Sequence, residues 1–211
     1  MPDSPNFPRR RALRLLALLA VAGGAIAAGL PVFAAEALTN PPANPPTNPR
    51  VTLYTDMGDV VIELYRDKAP ATVDNFLAYV KSGFYNGLLL HRVVKGQLIQ
   101  GGGYDAKLET RQTRARIKNE ANNGLSNQAL TVAMARGADP DSATSQFFIN
   151  LQNNSQLDYP SFDGAGYCVF GKVVDGEETV ARISQVETVQ SGNFEALPVK
   201  PITIVKASIN N

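Results

Sequence analysis

The stretch RVTLYTDMGDVVIELY, residues 50–65, constrains the fold of this chain more than any other. Apolar and polar residues alternate on both sides of Asp56-Met57-Gly58-Asp59. A period of two is the mark of a strand with one buried face, and Gly58 supplies the positive φ that such a turn needs. The stretch reads as two strands, 51–55 and 60–65. Further strands are expected at 88–94 and 97–100, and in ALTVAMA, SQFFINL, YCVFGKVV and PITIVKASI. Only twice does the period lengthen. In APATVDNFLAYVKSGFY, Val73, Phe76, Leu77 and Val80 share a helical face, Pro70 suits the first turn and Gly83 the stop. In GEETVARISQV, residues 176–186, Val180, Ile183 and Val186 do the same. Eight strands and two helices without βαβ alternation predict an antiparallel sheet curled into a barrel. Residues 104–127 are polar and read as a long surface excursion, a kind of loop that is more often functional than filler.

The N-terminal part has no such pattern. RRRALRLLALLAVAGGAIAAGLPVFAAEA, residues 9–37, has a basic start and no charge from Leu15 to Ala35. It ends in small residues at signal-peptidase spacing, Val32-x-Ala34 or Ala35-x-Ala37. An uncleaved membrane anchor is the competing reading, but Gly23, Gly24, Gly29 and Pro31 weaken it. Arg10-Arg11 also permits twin-arginine export, and the lack of a nearby cysteine excludes a lipoprotein anchor. TNPPANPPTNPR follows, with five prolines in polar surroundings, and makes an extended spacer. The expected organisation is a signal peptide over residues 1–37, a Pro-rich linker over 38–49 and one folded domain over 50–211. The expected location is the periplasm, with membrane contact only through the signal segment before cleavage.

Composition excludes several functions. The net charge is +1, which gives no electrostatic case for nucleic acid. Even that surplus is local: without the first 35 residues the balance is 16 basic to 18 acidic. One cysteine and one histidine are too few for a disulfide framework or a zinc site, so no metal is expected. A serine hydrolase would need His91 as its base, yet there is no G-x-S-x-G, and Ser126, Ser142 and Ser145 lack the elbow context. Cys168 lies in a strand, where a small buried hydrophobe is the better reading. The glycines at 101–103 are followed by no helix and match neither phosphate-binding fingerprint.

What remains is chemistry without proton transfer or a nucleophile. Rotation about an X–Pro bond is such a reaction. Its barrier of about 18–20 kcal/mol comes from amide resonance, and unaided it takes tens to hundreds of seconds. In the twisted transition state the proline nitrogen regains its lone pair, so a donor aimed there helps only at that moment. Arginine suits the task, being always charged and rigid at its fork. Arg92, beside His91 in the strand LLLHRVV, is the candidate.

LHRVVKGQLIQGGG, NEANNGLSN, TVAMARGADPDSATSQFFINL and GYCVFGKVVDG together resemble the cyclophilin family of peptidyl-prolyl cis–trans isomerases, most strongly its exported bacterial members. The likeness covers residues 51–209. It implies an eight-stranded antiparallel β-barrel capped by two α-helices, a monomer, no cofactor, and partners that are proline-containing unfolded or partly folded polypeptides. By this resemblance Arg92 is catalytic and Gln100 holds it in place. Leu98, Phe148 and Leu157 form the apolar proline pocket, with Tyr167 where many relatives carry His. Ala135 and Arg136 pair with the substrate through their backbone, and Gln146 contacts the substrate. Two positions depart. Gln97 stands where the family places an aromatic pocket wall, and Gln156 where an aromatic usually precedes Leu-Asp.

Strand alternation puts His91 and Arg92 on opposite sides, His91 buried and satisfied by hydrogen bonds, Arg92 in the groove. Likewise Phe148 should face substrate and Phe147 the core. The basic run KLETRQTRARIK reads as a solvated loop. A second function class shares the fold: a low-turnover chaperone or binding module that holds proline-containing segments, motivated by Gln97 and Gln156.

Overall fold

The computed structural model describes residues 48–210. The expected signal peptide and all but the last two residues of the linker lie outside them. The first hairpin is β1 (Arg50–Thr55) and β2 (Gly58–Leu64). Val51, Leu53, Val60, Ile62 and Leu64 are buried at every second position, as the period of two requires. Helix α1 (Pro70–Lys81) follows, and Gly83 ends it at φ 68°. Its buried face carries Val73, Phe76, Leu77 and Val80. Phe76 meets Tyr85, Phe147 and Phe170 at centroid distances of 5.2, 5.6 and 5.1 Å, which seats the helix on the barrel interior.

The strands β3 (Leu88–Leu89), β4 (Arg92–Val94), β5 (Leu98–Gly101), β6 (Thr131–Met134), β7 (Phe147–Asn150) and β8 (Val169–Asp175) come next. Then follow α2 (Glu177–Ile183), β9 (Thr188–Ser191), β10 (Phe194–Pro198) and β11 (Thr203–Asn210). Nine strands form one sheet in the order β3-β11-β1-β2-β8-β6-β7-β5-β4, antiparallel throughout. The two end strands are consecutive in the chain, separated only by Leu90 and His91. One run therefore bonds to β11 through Leu88 and Leu89, and to β5 through Arg92 to Val94. Taken as a single stave, it brings the sheet back on itself with eight staves.

Two details differ from the sequence expectation. Helix α2 is shorter than 176–186, since Gly176 is its cap at φ 85° and Val186 lies beyond its end. A Cβ at Gly176 would meet the Asp59 carbonyl oxygen at 2.1 Å, so the tight packing of this corner requires glycine. The second difference is the hairpin β9–β10, a separate two-stranded sheet that was not expected at all. Three of the four β9 residues are exposed and in β10 only Pro198 is buried, so the hairpin carries no alternation to read.

The excursion at 104–127 is irregular but bonded down throughout. Glu120 accepts from the backbone N–H groups of Ala71 and Thr72 at 3.1 and 2.8 Å, and from the Thr72 hydroxyl at 2.7 Å. It thus caps α1 from 48 residues away, in place of a side chain at Ala69.

Candidate active site

Strand β5 lies between β4 and β7, which sets three side chains in a row. Arg92 is opposite Gln100, and Gln100 is opposite Phe148. Phe148, Leu98, Ala133 and Val169 make a small apolar cluster separate from the main core, while Phe147 turns into that core. The expected division between the two phenylalanines holds.

Beside this row is a cavity of about 310 Å³ lined by Arg92, Gln97, Leu98, Gln100, Ala135, Arg136, Phe148, Leu157 and Tyr167. Nine of the ten site residues expected from sequence thus meet around one hollow, and no other of the described residues lines it. Leu157 arrives on a short 3-10 turn, Ser155–Leu157. Tyr167 stands edge-on to Phe148 at 5.8 Å. Leu98, Phe148, Leu157 and Tyr167 supply apolar wall and Gln97, Gln100 and Arg92 polar wall, so the hollow can take a small apolar ring beside a guanidinium donor.

The tenth residue, Gln146, lies elsewhere. It lines a neighbouring cavity, and its Oε1 accepts from Gln100 Nε2 at 2.9 Å. That bond leaves Gln100 Oε1 free to face Arg92, whose Nη1 donates to it at 3.4 Å. Gln146 thus orients Gln100 from the neighbouring hollow, which Arg92 and Gln100 also line. Gly103 makes room for this, because a Cβ there would come within 2.6 Å of the Gln146 amide. The last glycine of the run thus serves the packing of Gln146, while Gly101 and Gly102 pack against Leu90 and Tyr85.

Arg136 leaves its backbone accessible, the part expected to pair with substrate, and packs its side chain away. Its side chain is only 3% exposed although the residue as a whole is half-buried, so the accessible part is backbone. The guanidinium pairs with Asp163, donates to the Gly166 carbonyl at 3.0 Å, and stacks on Tyr167 at 4.4 Å. Bonds from the Ser161 hydroxyl and then from Arg136 hold the Asp163 carboxyl well below the usual carboxylate range. Asp163 is invisible to sequence reasoning, since 27 residues separate it from its partner.

A buried amide network fixes the opposite rim. Asn154 donates to the Gln97 carbonyl at 3.0 Å and to Asn150 Oδ1 at 2.7 Å, and Asn150 donates to Asn127 and Thr131. Asn127 in turn bonds Asp158, next to Leu157. Such fully bonded networks rigidify what they connect, here the segments that carry Gln97 and Leu157. Gln156 lies outside the cavity and bonds Asn154 at 3.3 Å.

Gln97 is half-buried at the cavity wall. An aromatic in its place would add apolar cover for a proline ring, contributing about 1 kcal/mol at a half-buried position, roughly fivefold in affinity. Gln97→Phe should therefore raise kcat/KM several-fold on an Ala-Pro peptide. A variant that folds normally yet is slower than wild type would mean that the Gln97 amide makes a substrate contact of its own.

His91 is buried, as expected, but it is not fully satisfied: its Nδ1 has no hydrogen-bond partner among the described residues. Tyr104 packs edge-on against it at 4.7 Å. Burial, opposed by a backbone hydrogen bond at Leu89 and reinforced by the Arg92 charge, pushes its pKa down to about 4. Cys168 is buried and its thiol is pushed up to about 11, chiefly by burial, which leaves it unreactive.

Comparison with known proteins agrees with this geometry. Residues 50–209 match the family described as cyclophilin type peptidyl-prolyl cis-trans isomerase/CLD. The chain is 47% identical over 162 residues to peptidyl-prolyl cis-trans isomerase B of Escherichia coli, covering 76% of this chain and 99% of that one. It is 46% identical over 164 residues to a peptidyl-prolyl cis-trans isomerase of Acinetobacter baylyi, covering 78% and 87%. Among solved structures it resembles a Cryptosporidium parvum cyclophilin type peptidyl-prolyl cis-trans isomerase, with a TM-score of 0.65 and 28% identity, covering 78% of this chain and 98% of that one.

Proposed function

The chain belongs to the cyclophilin type peptidyl-prolyl cis-trans isomerase family, and from that premise we propose that it isomerises X–Pro bonds in exported proteins with Arg92 as its catalytic residue. The observation that carries the reading is the cavity that Arg92, Gln97, Leu98, Gln100, Ala135, Arg136, Phe148, Leu157 and Tyr167 enclose. Leu98, Phe148, Leu157 and Tyr167 hold the proline ring. The accessible backbone at Ala135 and Arg136 aligns the preceding residues. Arg92, held by Gln100, directs a donor at the proline nitrogen as the amide twists. No proton moves and no bond is made, so the side chains need only be fixed in place.

A proline-limited refolding assay tests this, run beside a peptide assay on wild type and Arg92→Ala. Wild type at substoichiometric amounts should accelerate the slow phase, and the variant should not. A slow phase left unchanged by both, together with suppressed aggregation, would favour the holding module instead.

The location of this activity is the periplasm, and the enzyme works there as a monomer. The basis for export is the basic start, the uncharged run from Leu15 to Ala35 and the small residues at Val32-x-Ala34 and Ala35-x-Ala37. Protein from the periplasmic fraction should begin after residue 34 or 37 on N-terminal sequencing. A chain still starting near Met1 would support a retained anchor.

A further inference from the structure

Arg92 borders two hollows. On its other side from the proline cavity lies one of about 410 Å³, lined by His91, Arg92, Gln100, Tyr104, Leu108, Gln146, Asn193, Phe194 and Glu195. Arg92 and Gln100 line both, so the two adjoin across these side chains. The outer wall of the second hollow is the hairpin β9–β10, whose Phe194 packs on Tyr104 at 4.9 Å. The hairpin has an extra residue between its Phe194–Ser191 and Leu197–Val189 pairs, and Ala196 takes a φ of 50°, unusual for a residue with a Cβ. Bulges of this kind re-aim neighbouring side chains. The residue beside it, Glu195, has its Oε2 3.5 Å from Arg92 Nη2.

We infer that this second hollow is a subsite for a basic side chain within two residues of the proline, with Glu195 as the residue that sets the preference. The inference rests on Arg92 acting at the proline. Among the described residues Glu195 is the only carboxylate lining the hollow, and in the resting enzyme Arg92 is its partner. When substrate draws the Arg92 donors toward the proline nitrogen, Glu195 loses that partner. A lysine or arginine side chain on the substrate replaces it, and its stem lies against Tyr104 and Phe194. An acidic side chain does the opposite: it is repelled by Glu195 and pulls the Arg92 guanidinium away from the proline. Two residues of extended chain reach about 7 Å, and the long side chain adds to that, so a segment seated in the first cavity reaches the second.

The test uses the full chain and an Ala-Pro peptide series in which each position within two residues of the proline is in turn Lys, Ala or Glu. At one of these positions wild type should prefer Lys over Glu by about three- to fivefold in kcat/KM at low salt. Glu195 is 71% exposed, so the preference stays in the surface-pair range and shrinks as salt is added. Glu195→Gln should bring the ratio close to one, and Glu195→Lys should invert it. A wild-type ratio near one at every position, or a ratio unchanged in both variants, overturns the subsite. Failure of the wild type to turn over even the all-Ala peptide would instead count against the isomerase reading, so the two failures are distinguishable.

Discussion

Arg92→Ala should lower kcat/KM on an Ala-Pro peptide by about two to three orders of magnitude, the usual effect of removing one preorganised donor at a site of developing charge. The size follows from when the donor acts. In the ground state the proline nitrogen is conjugated with its carbonyl and accepts poorly. Only on twisting does it become an acceptor, so on the proposed mechanism a bond to Arg92 lowers the barrier and leaves ground-state binding little changed. The loss should therefore fall mainly on kcat. Gln100 and Glu195 each hold one end of the guanidinium, at 3.4 and 3.5 Å, and this fixes its plane before substrate arrives. Arg92→Lys keeps the charge but loses the fork, and should recover only a small part of the loss. Arg92 lies on a half-exposed rim of the barrel, so the alanine variant should fold and melt like wild type. A variant within a few-fold of wild type would show that the cavity alone, by holding the ring while the carbonyl turns, supplies the catalysis.

The parts of the molecule that sequence made legible share one physical cause. A strand with one buried face must alternate, and every stave of the barrel buries side chains on its inner face; even the break at Leu90 and His91 left the run 88–94 recognisable. The cavity residues other than Arg92 were legible only through the family resemblance that a few short runs carry. What stayed hidden has no periodicity to betray it. Hairpin β9–β10 buries only Pro198 and shows no alternation, so neither its strands nor the pairing of Glu195 with Arg92 could be anticipated. Glu120 capping α1, Asp163 bracing Arg136 and the amide network under Gln97 all join residues distant in sequence, through side chains equally at home in solvent. Gln146 shows the same limit at finer scale. Its place in the chain was readable, but the Gly103 gap that lays it against Gln100 is a property of packing.

His91 should make the protein acid-sensitive in a defined window. In the unfolded chain its pKa is about 6.5, whereas in the fold burial lowers it to about 4, so at neutral pH it is uncharged. Between these values the unfolded state binds a proton that the folded state refuses. Stability therefore falls as pH drops from 6.5 to about 4 and levels off below, where both states are protonated. A difference of that size corresponds to about 3 kcal/mol. The structural cause is specific: the ring sits under Tyr104 and beside the Arg92 charge, with Nδ1 lacking any partner that could accept from a protonated imidazole. His91→Phe keeps a ring in the same space and removes the titration. Carboxylates with lowered pKa, such as Asp163 and Asp105, also cost stability in acid, but they are common to both proteins and cancel in the comparison. Urea unfolding at pH 7 and pH 4 should show wild type losing about 3 kcal/mol more than the variant between the two. Parallel losses in the two proteins would mean that the His91 ring finds a partner for its proton, by taking up water or by turning toward the hollow behind Glu195.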